Sequence, residues 1–101
     1  MEKTILIICE AGISASLLVS KILETIKEKR LNYVIDYAPV SRVQEKLDFK
    51  NYDVLLLTPQ VARHKEKIQK IIDQKKCTSE IVFIKPEDFQ YMNVEKIISA
   101  L

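Results

Sequence analysis

The sequence has few glycines, cysteines and histidines and no long hydrophobic run, and each shortage narrows what the chain can be. Its 101 residues include one glycine, two cysteines, one histidine and no tryptophan. One histidine and two widely separated cysteines are too few for a structural zinc site, so we expect neither a metal nor a cofactor. No apolar stretch approaches the roughly 20 residues of a membrane span, and the first residues do not resemble a signal peptide. We therefore expect a cytoplasmic protein without membrane insertion, whose cysteines stay as thiols.

The chain also has almost no excess of charge of one sign. It has 16 basic and 14 acidic side chains, for a net charge of +2. This balance argues against binding to nucleic acid, which needs a clear basic excess. The hydrophobic fraction of 48% and the charged fraction of 30% are typical of a soluble globular protein. We predict one domain over residues 1–101, and we expect it to be monomeric.

Short apolar runs alternate with segments of helical periodicity along the whole chain. This alternation predicts a single α/β doubly wound domain with a four-stranded parallel sheet and helices on both faces. The first and third strands are the most apolar, which favours the order 2-1-3-4 with those two in the centre. The predicted elements are strand 4–9, helix 15–30 (with Leu17, Leu18, Ile22, Leu23 or Val19, and Ile26 inward), strand 33–38, helix 41–47, strand 53–58, helix 60–75, strand 81–84, a helical turn at 86–88, and a helix capped by Asn93 and reaching Leu101.

The stretch after the first strand is the strongest candidate for a functional site. Cys9 ends the strand, Gly12 is the only glycine of the chain, and Ser14 or Ser16 can cap the helix that follows. A strand, a tight loop and a helix start direct N–H groups at one place, which is typical of a phosphate site. Ligands of such sheets bind where the strand order reverses, so the loop after the third strand should face Cys9 across a crevice. That facing loop contains Thr58, Pro59 and Gln60.

A cysteine in a phosphate site suggests that its sulfur acts as a nucleophile toward phosphorus. The helix start should lower the pKa of the Cys9 thiol and make it reactive. Cysteine phosphatases place an arginine six residues after the nucleophile, but here that position is Ala15, and residues 10–20 include no Arg, Lys or His. A phosphoryl carrier is therefore favoured. A small cysteine phosphatase and a regulatory, thiol-sensing module remain as alternatives.

Three stretches also resemble one family. Cys9-Glu-Ala-Gly-Ile-Ser-Ala-Ser-Leu-Leu-Val-Ser-Lys21 is similar to the phosphorylation loop, usually Cys-x-Ala-Gly-Met-Ser-Thr-Ser-Leu-Leu-Val, of the IIB components of the lactose/cellobiose/chitobiose class of the bacterial phosphoenolpyruvate-dependent sugar phosphotransferase system. Two further stretches resemble motifs of the same family: Asp53-Val-Leu-Leu-Leu-Thr-Pro-Gln-Val-Ala62 and Asp88-Phe-Gln-Tyr-Met-Asn-Val-Glu-Lys-Ile97.

This resemblance implies a phosphotransferase that works through a phosphocysteine. Cys9 would accept a phosphoryl group from a histidine of a IIA protein and pass it to a sugar held by the membrane component IIC. The sugar would be a β-linked disaccharide such as cellobiose, chitobiose or lactose. The implied phosphate loop consists of Glu10, Ala11, Gly12, Ile13, Ser14, Ala15 and Ser16.

Five positions depart from the family pattern. Ile13 replaces the usual methionine and Ala15 replaces a threonine. Thr58 stands where glycine is common, and Arg63 stands where an aromatic residue is frequent. Glu10 is the least expected, because a carboxylate aimed into the loop would repel a phosphoryl dianion. We expect Glu10 to point outward, toward solvent and a docking partner. His64 and Cys77 are interpreted as a solvated helix residue and an incidental loop residue.

Overall fold

The structure is a computed structural model that describes residues 2–10 and 13–101, with the backbone alone at residues 13–15. Strands and helices alternate along this part of the chain, as the sequence predicts. The elements are β1 (Lys3–Ile8), α1 (Ile13–Lys29), β2 (Tyr33–Ala38), a first 3₁₀ helix (Val40–Arg42), α2 (Val43–Phe49), β3 (Val54–Leu57), a second 3₁₀ helix (Pro59–His64), α3 (Lys65–Lys75), β4 (Glu80–Phe83), α4 (Pro86–Gln90) and α5 (Val94–Ser99).

The four strands form a parallel sheet in the order β2-β1-β3-β4, which confirms the predicted topology. Ile8 pairs with Ala38 of β2 on one side and with Leu57 of β3 on the other. The two central strands are covered on both faces, so they lack the alternation of polar and apolar residues seen in half-exposed strands. From Ile5 to Ile8 every residue of β1 is 0% exposed.

Alternate residues of the central strands face two separate hydrophobic clusters. Ile5 and Ile7 pack with α1 and α5, whereas Leu6 and Ile8 pack with α2 and α3. Each helix contributes an apolar stripe with helical spacing. Helix α3 contributes the predicted residues Ile68, Ile71 and Ile72, and Val61 of the second 3₁₀ helix joins the same cluster.

In α1 the buried stripe is narrower than predicted. Leu18 and Ile22 are fully buried and Val19 is buried beside them, whereas Leu17 and Leu23 are each 47% exposed. The sequence left Leu23 and Val19 as alternatives, and the structure selects Val19. Leu17 and Leu23 lie on opposite flanks of a stripe that repeats every three to four residues.

The predicted helix 60–75 is wrong in its first turns. Residues Pro59–His64 form a 3₁₀ helix, and α3 begins only at Lys65. The N–H of Val61 donates to the carbonyl of Thr58 at 3.1 Å, which is the i→i+3 bond of a 3₁₀ turn. The spacing of apolar residues cannot distinguish a 3₁₀ helix from an α-helix over so few residues. The shorter predicted helix 41–47 is likewise a 3₁₀ helix followed by α2.

The last helix also differs from its prediction. Helix α5 ends at Ser99, and Asn93 precedes it without a side-chain capping bond. The Asn93 amide instead donates to Oδ1 of the buried Asp88 at 3.1 Å. The partner of the Asn93 side chain is therefore the preceding helical turn, which ties α4 to the start of α5.

Three helix ends adopt a left-handed backbone without glycine. Arg30, Lys76 and Met92 have φ values of 54°, 53° and 53°, and each is followed by an N–H that donates to a carbonyl five residues back. Glycine is the usual residue at this position. Because this chain adopts positive φ at three residues other than glycine, a need for positive φ cannot alone explain Gly12, which lies outside the described residues.

Among the described helices, none combines the length and the apolar character that crossing a bilayer requires.

Candidate active site

Cys9 lies directly after β1, at the carboxyl edge of the sheet. Its N–H donates to the carbonyl of Ala38 at 3.1 Å, which continues the β1–β2 ladder by one residue. The residue is 5% exposed. Helix α1 begins four residues later, so Cys9 is placed between the end of a central strand and the start of a helix.

Thr58 holds the neighbouring strand end against the residue before Cys9. Its N–H and its hydroxyl both donate to the carbonyl of Ile8, at 3.1 and 3.3 Å. Thr58 is fully buried, so the hydroxyl needs this acceptor. Two donors on one carbonyl fix the end of β1 and, through it, the position from which Cys9 departs.

The predicted facing loop lies at the same edge as Cys9. Because Ile8 pairs with Leu57, the next residues, Cys9 and Thr58, leave the sheet side by side. Pro59 is half-buried and Gln60 is exposed. The structure therefore brings these segments together at the predicted switch point, while a direct role of Pro59 and Gln60 in binding stays a prediction.

Glu10 is exposed, as expected, but it has a partner that the sequence did not reveal. Its Oε1 accepts a hydrogen bond from Nη2 of Arg63 at 3.1 Å. The side chains of Glu10 and Arg63 are 46% and 73% exposed. Arg63 belongs to the second 3₁₀ helix, so this ion pair connects the cysteine segment to the facing turn. Sequence reasoning treated the two residues as separate departures because 53 positions separate them.

The rest of the predicted phosphate loop is described only in part. Ala11 and Gly12 lie outside the described residues, and Ile13, Ser14 and Ala15 are described as the backbone of the first turn of α1. Ser16 is exposed in the same helix. The binding of an anion by these residues therefore stays a prediction.

The expected fall in the pKa of the Cys9 thiol is wrong. Burial raises its pKa above the ordinary value of 9.0, because a thiolate loses hydration in an apolar environment. At neutral pH the resting group is therefore the neutral thiol. Sequence reasoning considered the helix start and omitted the cost of burying the sulfur among the strand ends.

Two further residues of reactive types, His64 and Cys77, lie in described segments of the chain. His64 lies next to Arg63, whose Nε donates to Nε2 of His64 at 3.3 Å. Cys77 is half-buried at the far end of α3, where it packs against the second cluster. Within residues 2–10 and 13–101, no three His, Cys, Asp or Glu side chains converge on a candidate metal position.

Fold and site together define a class: an all-parallel α/β protein with a buried cysteine at the switch point between its two central strands. The family model described as "PTS system, Lactose/Cellobiose specific IIB subunit" matches residues 4–100. The chain belongs to this IIB family of the sugar phosphotransferase system, as its motifs indicated.

Individual relatives agree with this assignment. The chain is 32% identical to the galactose-specific EIIB component of Lactococcus lactis subsp. cremoris, over 98% of this chain and 93% of the relative. The solution structure of the cellobiose-specific IIB protein of Borrelia burgdorferi is 33% identical, with a TM-score of 0.75 over 98% of this chain and 87% of that one. The lactose-specific IIB domain of Streptococcus pneumoniae has a TM-score of 0.77 at 15% identity, over 98% and 93% of the two chains, and supports the fold alone.

Proposed function

We propose that this IIB protein carries a phosphoryl group on Cys9. The group would come from a phosphohistidine of a IIA protein and would go to a sugar bound by a membrane IIC component. The observation that carries the proposal is the placement of Cys9 at the carboxyl edge, between the ends of β1 and β3 and the start of α1. Ligands of parallel α/β sheets bind at this position.

The transfer is balanced without any further reactant. In the first step the Cys9 sulfur forms a bond to phosphorus, the phosphorus–nitrogen bond of phosphohistidine breaks, and the thiol proton ends on the imidazole. In the second step a sugar hydroxyl oxygen attacks phosphorus, the sulfur–phosphorus bond breaks, and the hydroxyl proton returns to Cys9. Because burial raises the pKa of Cys9, the resting thiol holds the proton that passes to the imidazole as the sulfur attacks phosphorus.

Carrier function is favoured over phosphate hydrolysis by the surroundings of the cysteine. Residues 10–20 contain no cationic side chain, and Arg63, on the facing turn, is bound to the carboxylate of Glu10. Its charge is therefore already compensated. A hydrolase needs a free cation to stabilise the transferring phosphoryl group in each cycle.

The sugar is proposed from the relatives' names. Cellobiose in one relative's name, with lactose and cellobiose in the family description, supports a β-linked disaccharide such as cellobiose, chitobiose or lactose as the acceptor. Another relative is named for galactose, a monosaccharide. A protein that exchanges phosphate with a soluble IIA protein and the inner face of a permease would work in the cytoplasm. We propose that it does so as a monomer.

Label transfer tests the proposal. A ³²P-phosphorylated IIA protein of the lactose/cellobiose class is mixed with the wild type, with Cys9→Ser and with Cys77→Ser. We expect stable label on the wild type and on Cys77→Ser and none on Cys9→Ser. Label on all three, or steady hydrolysis of para-nitrophenyl phosphate that disappears in Cys9→Ser, would overturn the carrier assignment. The second outcome would support a phosphatase.

A further inference from the structure

The ion pair between Glu10 and Arg63 crosses from the cysteine segment to the facing turn. The Nη2–Oε1 distance is 3.1 Å, and Nε of the same guanidinium donates to Nε2 of His64 at 3.3 Å. The guanidinium thus has an acceptor on each side. This arrangement holds Arg63 next to the residue that follows the proposed nucleophile.

The Glu10–Arg63 pair differs in its location from the other ion pairs of the described residues. Those join Lys29 to Glu95, Lys50 to Asp36, and Lys75 to Asp48. None of them includes a residue of the Cys9 segment or of the facing turn. The Glu10–Arg63 pair is therefore the one described pair whose charges lie beside the proposed chemistry.

A carboxylate next to the cysteine opposes that chemistry in two ways. Consecutive Cα atoms are about 3.8 Å apart, so the Glu10 side chain starts beside Cys9, and its rotamer decides how near the sulfur its negative charge lies. An uncompensated charge there disfavours the thiolate and repels a phosphoryl dianion. A bound guanidinium cancels most of that field and restrains the carboxylate on the side of the facing turn.

We propose that Arg63 is a positioning residue for Cys9, and that it acts through Glu10 by neutralising and restraining the carboxylate beside the nucleophile. The consequence for phosphoryl transfer rests on the proposed function. The electrostatic effect on the thiol does not depend on it. A chain with an acidic residue directly after its cysteine could in this way still accept a phosphoryl group.

Other titratable and charged groups lie on the described segments around Cys9. The strand β2 carries Asp36 and Tyr37, the turn after it carries Arg42, and the facing turn carries Arg63 and His64. The Asp36 carboxylate accepts a hydrogen bond from the Tyr52 hydroxyl at 2.6 Å and lies 3.9 Å from Lys50. The first turn of α1 has no acidic residue. Asp36 has these other partners and Glu10 is the carboxylate paired with Arg63, so changes in the titration of Cys9 on removal of Arg63 should come mainly from Glu10.

A double-mutant cycle tests the proposal in a Cys77→Ser background, where Cys9 is the only thiol. The variants are Arg63→Gln, Glu10→Gln and their combination, and the rate of iodoacetamide alkylation is followed against pH. We expect Arg63→Gln to move the profile to higher pH and to slow alkylation near neutral pH about three-fold. Glu10→Gln should move the profile the other way. In the Glu10→Gln background, the Arg63 substitution should have little effect.

Two further variants complete the design. Lys29→Gln removes an exposed ion pair of equal length at the opposite end of α1, and it should leave the profile unchanged. Arg63→Lys keeps the charge and should recover most of the wild-type rate. Thermal unfolding of each variant checks that the fold is intact.

The outcomes are distinct. An equal shift from Arg63→Gln with and without Glu10 would show that Arg63 acts on Cys9 directly and would overturn the proposal, as would no shift at all. Labelling by phospho-IIA gives a separate readout, which should fall about three-fold in Arg63→Gln and return in the double variant. Absence of label on every variant would refute the carrier function while leaving the thiol result as evidence for the pair.

Discussion

The two edges of the sheet are held by different means. At the amino edge, residues just before the strands make specific bonds to neighbouring strands: the Asp53 carboxylate accepts from the Thr4 N–H at 2.8 Å, and the Ser79 hydroxyl donates to the Tyr52 carbonyl at 2.6 Å. At the described carboxyl edge, Thr58 makes one buried side-chain bond, and the Glu10–Arg63 pair is exposed. Side-chain bonds that stabilise the fold thus concentrate away from Cys9. Substitutions at the two edges should therefore separate stability from phosphoryl transfer.

Asp53 should give the largest loss of stability. Its carboxylate accepts from the Thr4 N–H, and its own N–H donates to the Thr4 carbonyl at 2.8 Å. Asp53→Ala leaves the nearly buried Thr4 N–H without this acceptor, so the free energy of unfolding should fall by about 2 kcal/mol. Chemical denaturation measures the change, and Asp53→Asn, which keeps an acceptor oxygen, is the matched control. Label transfer to Cys9 should stay at the wild-type rate; a loss of transfer in a folded variant would contradict the separation of the edges.

Tyr52 should give the next largest effect. Its hydroxyl donates to Oδ2 of Asp36 at 2.6 Å, and the ring is 4% exposed. Tyr52→Phe keeps the ring and removes only the bond, so we expect a loss of about 1 kcal/mol in denaturant unfolding. Asp36→Asn in the same background should then have little further effect. Additive losses from the two substitutions would show that the bond contributes little.

Substitution of Thr58 should have the reverse effect, a small loss of stability and a larger loss of phosphoryl transfer. Thr58→Val keeps the shape of the buried side chain and removes the hydroxyl bond to the Ile8 carbonyl, whose backbone donor remains. The loss of stability should be only about 0.5 kcal/mol, since the bond is long at 3.3 Å. Label transfer should slow by a larger factor than in Asp53→Ala, because the end of β1 is less firmly fixed. Equal transfer rates in the two variants would remove the functional contrast between the edges.

At alkaline pH, the titration of Cys9 at the carboxyl edge should change the stability of the fold. Burial raises the pKa of Cys9 in the folded protein above its ordinary value of 9.0, so the folded state keeps the thiol proton at a pH where the unfolded chain loses it. The resulting stability is complete below that ordinary value and is lost as pH rises toward the folded pKa. Denaturant unfolding from pH 8 to 10 should therefore show a flatter decline in Cys9→Ala than in the wild type.

Tyr52 provides the control for this titration. Burial and the bond to Asp36 also raise its pKa, but from an ordinary value of 10.0, so its contribution is lost at higher pH than that of Cys9. Tyr52→Phe should leave the difference between wild type and Cys9→Ala intact below pH 10. Parallel curves for wild type and Cys9→Ala would mean that burial of Cys9 does not perturb its titration.

Local sequence patterns predicted the sheet but not the contacts around Cys9. The apolar runs of β1 and β3 were enough to place both strands in the centre and Cys9 at the switch point. The 3₁₀ helix at Pro59–His64 was missed because apolar spacing does not reveal whether the backbone hydrogen bonds join residues three or four positions apart. The pairing of Glu10 with Arg63 depends on the fold bringing distant segments together, and the raised pKa of Cys9 depends on its burial. Neither has a local signal.

The most direct test of whether Cys9 carries the phosphoryl group is to locate that group on the phosphorylated protein. The chain is phosphorylated by phospho-IIA, digested under conditions that preserve thiophosphate esters, and analysed by tandem mass spectrometry. We predict one phosphoryl group on the sulfur of Cys9, in the peptide that ends at Lys21, and none on the peptide with Cys77. A phosphoryl group on His64, on a serine or on Cys77, with Cys9 unmodified, would contradict it.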